Sequence, residues 1–149
     1  MRMFFRQSRS KLRAVVAATT LIAAASAARA QTPRFTVTSG TVHDSRTNLT
    51  WQQASPLNTT YTQSGAVTYC TGMGTGWRLP SIKELQSIVD YTIASPGPVF
   101  NSVFSGSANW YWSSTPLAGA ASGAWALNFN AGNTLNDDPA VQHYARCVR

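Results

Sequence analysis

Apolar and polar positions alternate over short stretches in the part of the chain that follows residue 30. In residues 34–38, Phe35 and Val37 fall on one face, and residues 41–44 and 49–52 follow after short polar turns. A period of two over four or five residues is typical of strands, and such turns join antiparallel neighbours. The pattern therefore predicts a group of short antiparallel β-strands.

Two stretches have helical spacing instead. Residues 62–73 predict a helix that Gly72 can end, with its apolar positions three and four residues apart: Ala66, Val67, Tyr69 and Cys70. Ser81 and Glu84 form a capping box at the start of a second helix, where the helix dipole favours the acid. Its apolar face continues to about Tyr91 and contains Ile82, Leu85, Ile88 and Val89.

The second half of the chain has weaker periodicity. Residues 92–109 predict a long loop, residues 110–114 a strand, and residues 115–123 a loop of small residues. The next strand alternates between an apolar face and an amide face: Trp125, Leu127 and Phe129 against Asn128 and Asn130. Residues 134–143 are polar and predict no element, whereas residues 144–149 predict a closing strand. Helices and strands in this order predict an α+β domain.

The positive charge of the chain is concentrated at its start. Six of the twelve basic residues and none of the five acidic residues lie in the first 30 positions. The rest of the chain has six basic residues against five acidic ones. The formal charge of +7 is therefore no sign of a nucleic-acid-binding surface, and we expect no nucleic-acid partner.

The first 30 residues have the plan of a secretory signal peptide. A basic segment precedes the uncharged residues 14–28, and Ala28-Arg29-Ala30 predicts cleavage before Gln31. The uncharged stretch is shorter than the roughly 20 apolar residues that span a bilayer, so no stable membrane insertion is expected after cleavage. The remaining domain, residues 31–149, is expected to be periplasmic or secreted.

The chain has only two cysteines, Cys70 and Cys147, and both follow the predicted cleavage point. In an oxidising compartment an even number of cysteines favours a disulfide, with two unrelated buried thiols as the alternative. The two histidines, His43 and His143, stand at no recognisable metal-ligand spacing from them. A zinc site is therefore not expected.

A series of short motifs, in one order along residues 34–149, resembles the Lcl C-terminal domain family. The motifs are LTWQ (49–52), Tyr69-Cys70, WRLPSIKEL (77–85), YWSST (111–115), Ala124-Trp125 and RCVR (146–149). The resemblance implies a C-type-lectin-like fold with two helices, a small twisted antiparallel sheet and a long loop region. It also implies a disulfide between the first helix and the last strand, the places of Cys70 and Cys147. The family's best-known member is a collagen-like adhesin that binds sulfated polysaccharides, but this chain has no Gly-x-y repeats and no basic cluster.

Aromatic residues provide one set of candidate ligand-binding positions. Tryptophan rings stack on sugar rings, and their N–H groups donate hydrogen bonds. Trp51, Trp77 and Trp125 stand at strand positions and are expected in the core. In the strand that begins at Trp110, neighbouring aromatic residues point to opposite faces, so at least one is expected near the surface; these residues are Trp110, Tyr111 and Trp112.

Amide and acidic residues provide the second set, within eleven positions: Asn128, Asn130, Asn133, Asn136, Asp137 and Asp138. Their oxygens could bind calcium, but these residue types are also common in turns, and turn chemistry is the favoured interpretation. We expect no metal and no cofactor. The predicted ligand-binding surface consists of Trp110, Tyr111, Trp112, Asn128, Asn130, Asp137 and Asp138.

Catalytic patterns are missing from the sequence. His43 and Asp44 are neighbours on a predicted strand and point to opposite faces, and no nucleophile elbow or phosphate-binding glycine loop occurs. Formylglycine-generating enzymes share the broad fold but need two reactive cysteines late in the chain, where only Cys147 stands here. Arg78 and Glu84 are expected to be structural. The predicted function is an exported, non-catalytic, adhesin-like module that binds a glycan, or a protein of the cell envelope or of a host surface. The alternatives are an assembly subunit of an envelope complex and a degenerate relative of those enzymes.

Overall fold

A computed structural model describes residues 32–119 and 123–149, in which six strands form two separate antiparallel sheets. The predicted signal peptide lies outside the described residues. The elements are β1 (Phe35–Thr38), β2 (Thr41–Asp44), β3 (Leu49–Gln52), α1 (Gln63–Thr71), α2 (Ile82–Ser87), β4 (Trp110–Pro116), β5 (Ala124–Asn128) and β6 (Thr134–Asp137). Within the described ranges, no helix has the length and apolar character needed to cross a membrane.

The predicted C-type-lectin-like arrangement is wrong. The strands divide into two sheets of three, β1-β2-β3 and β4-β5-β6, and the helices have only nine and six residues. The expected arrangement had one small sheet and two helices as major elements, whereas this domain is mostly β. The polar stretch around Leu135 pairs with β5 and completes the second sheet. The label α+β is roughly compatible with the structure, but the lectin-like topology is not.

The first sheet is linked to α2 by Arg34, which pairs with the buried carboxylate of Asp44. The guanidinium of Arg34 donates from Nε and Nη2 to Asp44, at 2.9 and 2.7 Å, and also to the carbonyl of Ser87 just at the end of α2. Burial alone would raise the pKa of Asp44, but hydrogen bonds from Arg34, the Arg46 amide and Thr47 outweigh it and lower that pKa. The ionised carboxylate therefore holds the β2–β3 turn and the N-terminal end of β1 against α2.

The second sheet is covered on both faces. Alternation along β4 points Trp112 toward α1, into a cluster with Ala66, Ala126 and the disulfide. It points Tyr111 toward α2, into a cluster with Leu85, Phe100 and Phe129. Because each face packs against a different helix, this sheet is the centre of the domain. Of the tryptophans predicted in the core, Trp51 and Trp77 are buried and Trp125 is half-buried.

The segment 143–149 joins the two sheets, although it forms isolated bridges and no regular strand. His143 pairs with Tyr61, Tyr144 runs parallel to β4, and Val148 bridges both Trp51 of β3 and Arg78. The predicted disulfide is confirmed: Cys70 of α1 and Cys147 are bonded, with their Cα atoms 5.3 Å apart. One short segment thus contacts β3, β4, α1 and the stretch before α2.

Arg146 lies in the same segment and is fully buried without an acidic partner among the described residues. Its guanidinium donates to the carbonyls of Gln52, Gln53 and Ser105 at 2.8 to 2.9 Å. Its Cζ lies 5.0 to 5.9 Å from the ring centroids of three aromatic residues: Phe100, Phe104 and Tyr111. The cation is therefore solvated by backbone dipoles and ring faces.

The N-terminus of α2 has the predicted capping box. Ser81 accepts from the Glu84 amide, and the Glu84 carboxylate accepts from the Ser81 amide. The same carboxylate forms a bidentate pair with Arg78 at 2.6 and 2.8 Å. The structural role predicted for Arg78 and Glu84 is therefore confirmed. The hydrogen bonds from Arg78 lower the pKa of Glu84 to about 2.

This lowered pKa predicts an acid-sensitive contribution to stability. Since the folded pKa of Glu84 lies below its ordinary value of 4.5, its contribution is complete above pH 4.5 and is lost as the pH falls toward 2. The pair is partly exposed, so we expect about 1 kcal/mol. Urea unfolding of wild type and Glu84→Gln should differ by this amount at pH 7 and converge near pH 2. Asp138→Asn, a matched change at an exposed acid, is the control, and an equal difference at both pH values would contradict the expectation.

Candidate functional site

The structure does not bring the seven predicted ligand-binding residues together on one surface. Tyr111 and Trp112 are fully buried, on opposite faces of the second sheet, so neither ring can stack on a ligand. Trp110 is half-buried, with its ring centroid 6.3 Å from that of His143. The expectation that one of the three aromatic residues reaches the surface therefore holds for Trp110 alone.

The predicted amide and acidic residues form turns at two separate places. At one end of β5, Asn128 Oδ1 accepts from the Asn130 amide at 2.7 Å, and Asn130 Oδ1 accepts from the Gly97 amide at 3.0 Å. At the other end of the β5–β6 ladder, Asp137 lies opposite Ala124. The side-chain oxygens of Asn128 and Asn130 already accept hydrogen bonds from backbone amides, as the interpretation from turn chemistry predicts.

Asp137 and Asp138 have their own local partners. Asp137 accepts from the Asp138 amide at 2.8 Å and pairs with His143 Nε2 at 3.0 Å, while Asp138 accepts from the Ala140 amide. Within the described part of the chain, no group of three or more His, Cys, Asp or Glu side chains could hold a metal ion. A ligand role for these two residues stays a prediction.

A cleft beside the end of α2 gathers exposed polar and aromatic groups from four separate segments. It has a volume of about 480 Å³, within the range of small-ligand sites. Pro33 precedes β1, Arg46 lies in the β2–β3 turn, Asp90 and Tyr91 follow α2, and Asn101 lies in the long loop. We call this site the α2 cleft. The packing of the first sheet on α2 through Arg34 and Asp44 forms its walls.

Tyr91 is exposed yet held in place. Its side chain is 71% exposed, and its hydroxyl donates to the carbonyl of Gly132 at 3.2 Å. Gly132 has φ +76°, and a Cβ there would lie 2.8 Å from the Tyr91 ring. Glycine is therefore required at this turn both for its conformation and for the close approach of the ring. The result is an exposed aromatic face whose hydroxyl end is hydrogen-bonded to the backbone of the neighbouring turn.

The polar groups of the α2 cleft have balanced charge. Hydrogen bonds from the Thr92 side chain and amide lower the pKa of Asp90, so its carboxylate is ionised at neutral pH. The Arg34 guanidinium is neutralised by Asp44. The Arg46 guanidinium has no hydrogen-bond partner among the described residues and supplies a positive charge opposite in sign to Asp90.

Two smaller hollows continue from the α2 cleft along the helix. One, of about 350 Å³, shares Arg46 and Tyr91 with the cleft and adds Gln86. The other, of about 380 Å³, lies beyond it beside Leu49 and Lys83. A ligand longer than a single ring could therefore extend from Tyr91 toward the N-terminus of α2.

This cleft was not predicted from the sequence, because each of its residues has an ordinary explanation as part of a helix, a turn or a loop. The apolar pattern predicts a helix that continues to about Tyr91, but α2 ends at Ser87, and Ile88 leaves the helical conformation with ψ 2°. Val89 then forms an isolated antiparallel β-bridge with Phe100, so the chain no longer follows the helix. The one available signal was the polar sequence Asp90-Tyr91-Thr92, in which an aromatic residue stands between hydrogen-bonding neighbours.

Together these features define a disulfide-linked, mainly β domain with an open polar cleft. The chain belongs to the Lcl C-terminal domain family, whose sequence profile matches residues 40–149. The resemblance drawn from the motifs is therefore confirmed. No curated protein matches the chain at a significant level.

Proposed function

We propose that this chain is an exported, non-catalytic binding module that takes a glycan of the cell envelope or its surroundings in the α2 cleft. The observation that carries the proposal is the open ring of Tyr91, fixed by Gly132 at the edge of a cleft of about 480 Å³. A fixed ring loses little side-chain freedom when a ligand stacks on it, and this favours binding.

The cysteines support both export and the absence of catalysis. Both cysteines of the chain are joined in one disulfide, which is the form that persists outside the cytoplasm. No free thiol remains for chemistry of the kind that formylglycine-generating enzymes perform. His143 is buried, with its ring centroid 4.5 Å from that of Trp112, and it pairs with the half-buried Asp137; this packing favours a structural role for the pair.

The proposal predicts which aromatic residue a ligand uses. Oxidised protein of residues 31–149 is applied to a glycan array, and binding of the best glycan is then measured by calorimetry. Tyr91→Ala should weaken binding at least tenfold, about 1.4 kcal/mol, because the stacking surface is removed. Trp110→Ala, the matched change at the aromatic residue predicted from the sequence, should change the affinity less than twofold.

The opposite pattern would contradict the proposal. A large loss with Trp110→Ala and none with Tyr91→Ala would place the site at β4. If no glycan binds and a protein co-purifies from the envelope, the assembly-subunit alternative replaces the proposal. Circular dichroism of both variants checks that the fold is intact, which is expected for Tyr91→Ala because that side chain is 71% exposed.

A further inference from the structure

The geometry of the α2 cleft points to an uncharged saccharide as its ligand, bound by one pyranose ring stacked on Tyr91 and by hydrogen bonds from its hydroxyls to Asp90, Asn101 and Arg46. This inference rests on the proposed function and narrows it to one ligand class.

The exposed ring of Tyr91 is suited to contact with a flat apolar face of a ligand. The Tyr91 hydroxyl donates a hydrogen bond to the carbonyl of Gly132, so the polar group of the side chain already has a partner in the protein. The face of the ring is left for a ligand. The C–H groups on one face of a pyranose form an apolar patch of similar size to an aromatic ring. Both groups prefer contact with each other to contact with water.

Hydrogen-bonding groups of both kinds line the same cleft. Asp90 uses Oδ1 for the two Thr92 donors, and among the described residues nothing donates to its other oxygen. Asn101 uses Oδ1 for the Val103 amide, and its side-chain amide donates to no described residue. One ionised acceptor, one amide donor and the forked donor of Arg46 can bind neighbouring hydroxyls, each of which donates and accepts.

The charge of the cleft argues against a sulfated or strongly acidic chain. Arg34 is paired with Asp44 at 2.7 Å, and Arg46 and Asp90 give the rest of the cleft lining one charge of each sign. A sulfate group in the cleft would be attracted by the guanidinium of Arg46 but repelled by the carboxylate of Asp90. An uncharged ligand meets no such repulsion.

The test uses oxidised protein of residues 31–149 and isothermal titration with two sets of hexasaccharides. The neutral set contains glucose, mannose and N-acetylglucosamine oligomers, and the charged set contains sulfated counterparts. A neutral hexasaccharide should bind with an affinity that changes less than twofold between about 50 and 500 mM NaCl, because no ion pair is screened. Tyr91→Ala should reduce that affinity at least tenfold, and Asp90→Ala at least fivefold.

Two conservative variants separate stacking from charge. Tyr91→Phe keeps the ring face but loses the hydrogen bond to Gly132, so its affinity should lie between that of the wild type and that of Tyr91→Ala. Arg46→Gln removes the charge but keeps a shorter donor, so it should weaken neutral-sugar binding by about threefold, equally at low and at high salt. Leu57→Ala, an exposed apolar change outside the cleft, should have no effect.

The remaining outcomes overturn the inference and separate it from the proposed function. Binding of sulfated hexasaccharides alone, weakened by salt, by Arg46→Gln and by Tyr91→Ala, would overturn the neutral ligand but leave the cleft as the binding site. Saccharide binding that Tyr91→Ala leaves unchanged would overturn both. Failure of every hexasaccharide to bind at millimolar concentration would also overturn the inference.

Discussion

Replacing Arg146 with methionine is expected to lower the free energy of unfolding by about 3–5 kcal/mol. Methionine fills much of the same volume, but it removes the charged donor that the carbonyls of Gln52, Gln53 and Ser105 share. The carbonyls of Gln53 and Ser105 each keep one backbone amide as a donor. Each hydrogen bond from a charged group contributes about 1.5–3 kcal/mol. Urea unfolding at pH 7, followed by tryptophan fluorescence, measures the change.

Arg149→Met is the matched control. Arg149 is exposed, and its guanidinium lies 5.0 Å from the centroid of the Trp77 ring, so its loss should cost less than about 1 kcal/mol. Burial lowers the pKa of Arg146 to about 10, and its guanidinium is therefore still protonated at pH 7. Equal stabilities of the Arg146 and Arg149 variants would show that the buried cation is dispensable.

Removing the disulfide should be the second large effect. Changing Cys70 and Cys147 to alanine opens a loop with a sequence separation of 77 residues, which corresponds to about 4 kcal/mol on the chain-entropy model. For a domain of this size the midpoint of thermal unfolding should fall by roughly 15 °C. Differential scanning calorimetry with and without a phosphine reductant measures it.

The double variant is also the control for the reductant. Reduced wild type should unfold near the midpoint of the variant, whereas the variant itself should not respond to reductant. Since both sulfur positions are fully buried, reduction should require partial unfolding and proceed slowly in native buffer. A midpoint that is the same for wild type and variant would contradict a stabilising role for the bond.

Local signals predicted local structure well. Alternation placed β1, β2 and β3, and the capping box between Ser81 and Glu84 placed the start of α2. Strand pairing depends on contacts between distant residues, so the division into two sheets was not predictable from periodicity. The stretch that forms β6 contains one apolar residue, Leu135, and too few such positions to show alternation.

The candidate site was harder to predict than the fold. Alternation along β4 correctly put Tyr111 and Trp112 on opposite faces, but only the structure shows that a helix covers each face. The α2 cleft depends on residues as far apart as Arg46 and Asn101, which become neighbours only after the first sheet packs on α2. The surroundings of Arg146 likewise come from distant segments, and no sequence pattern marks them.

The joining role of residues 143–149 has a consequence for the order of folding events if the chain is exported as proposed. A chain that crosses a membrane with its N-terminus first delivers β3, α1 and β4 well before the segment that links them. Neither core cluster can close until Ala145, Cys147 and Val148 have emerged, because all three are buried in contact with earlier elements. Under the proposed export, the chain therefore folds only after translocation is nearly complete, and Cys70 remains a thiol until Cys147 reaches the oxidising side.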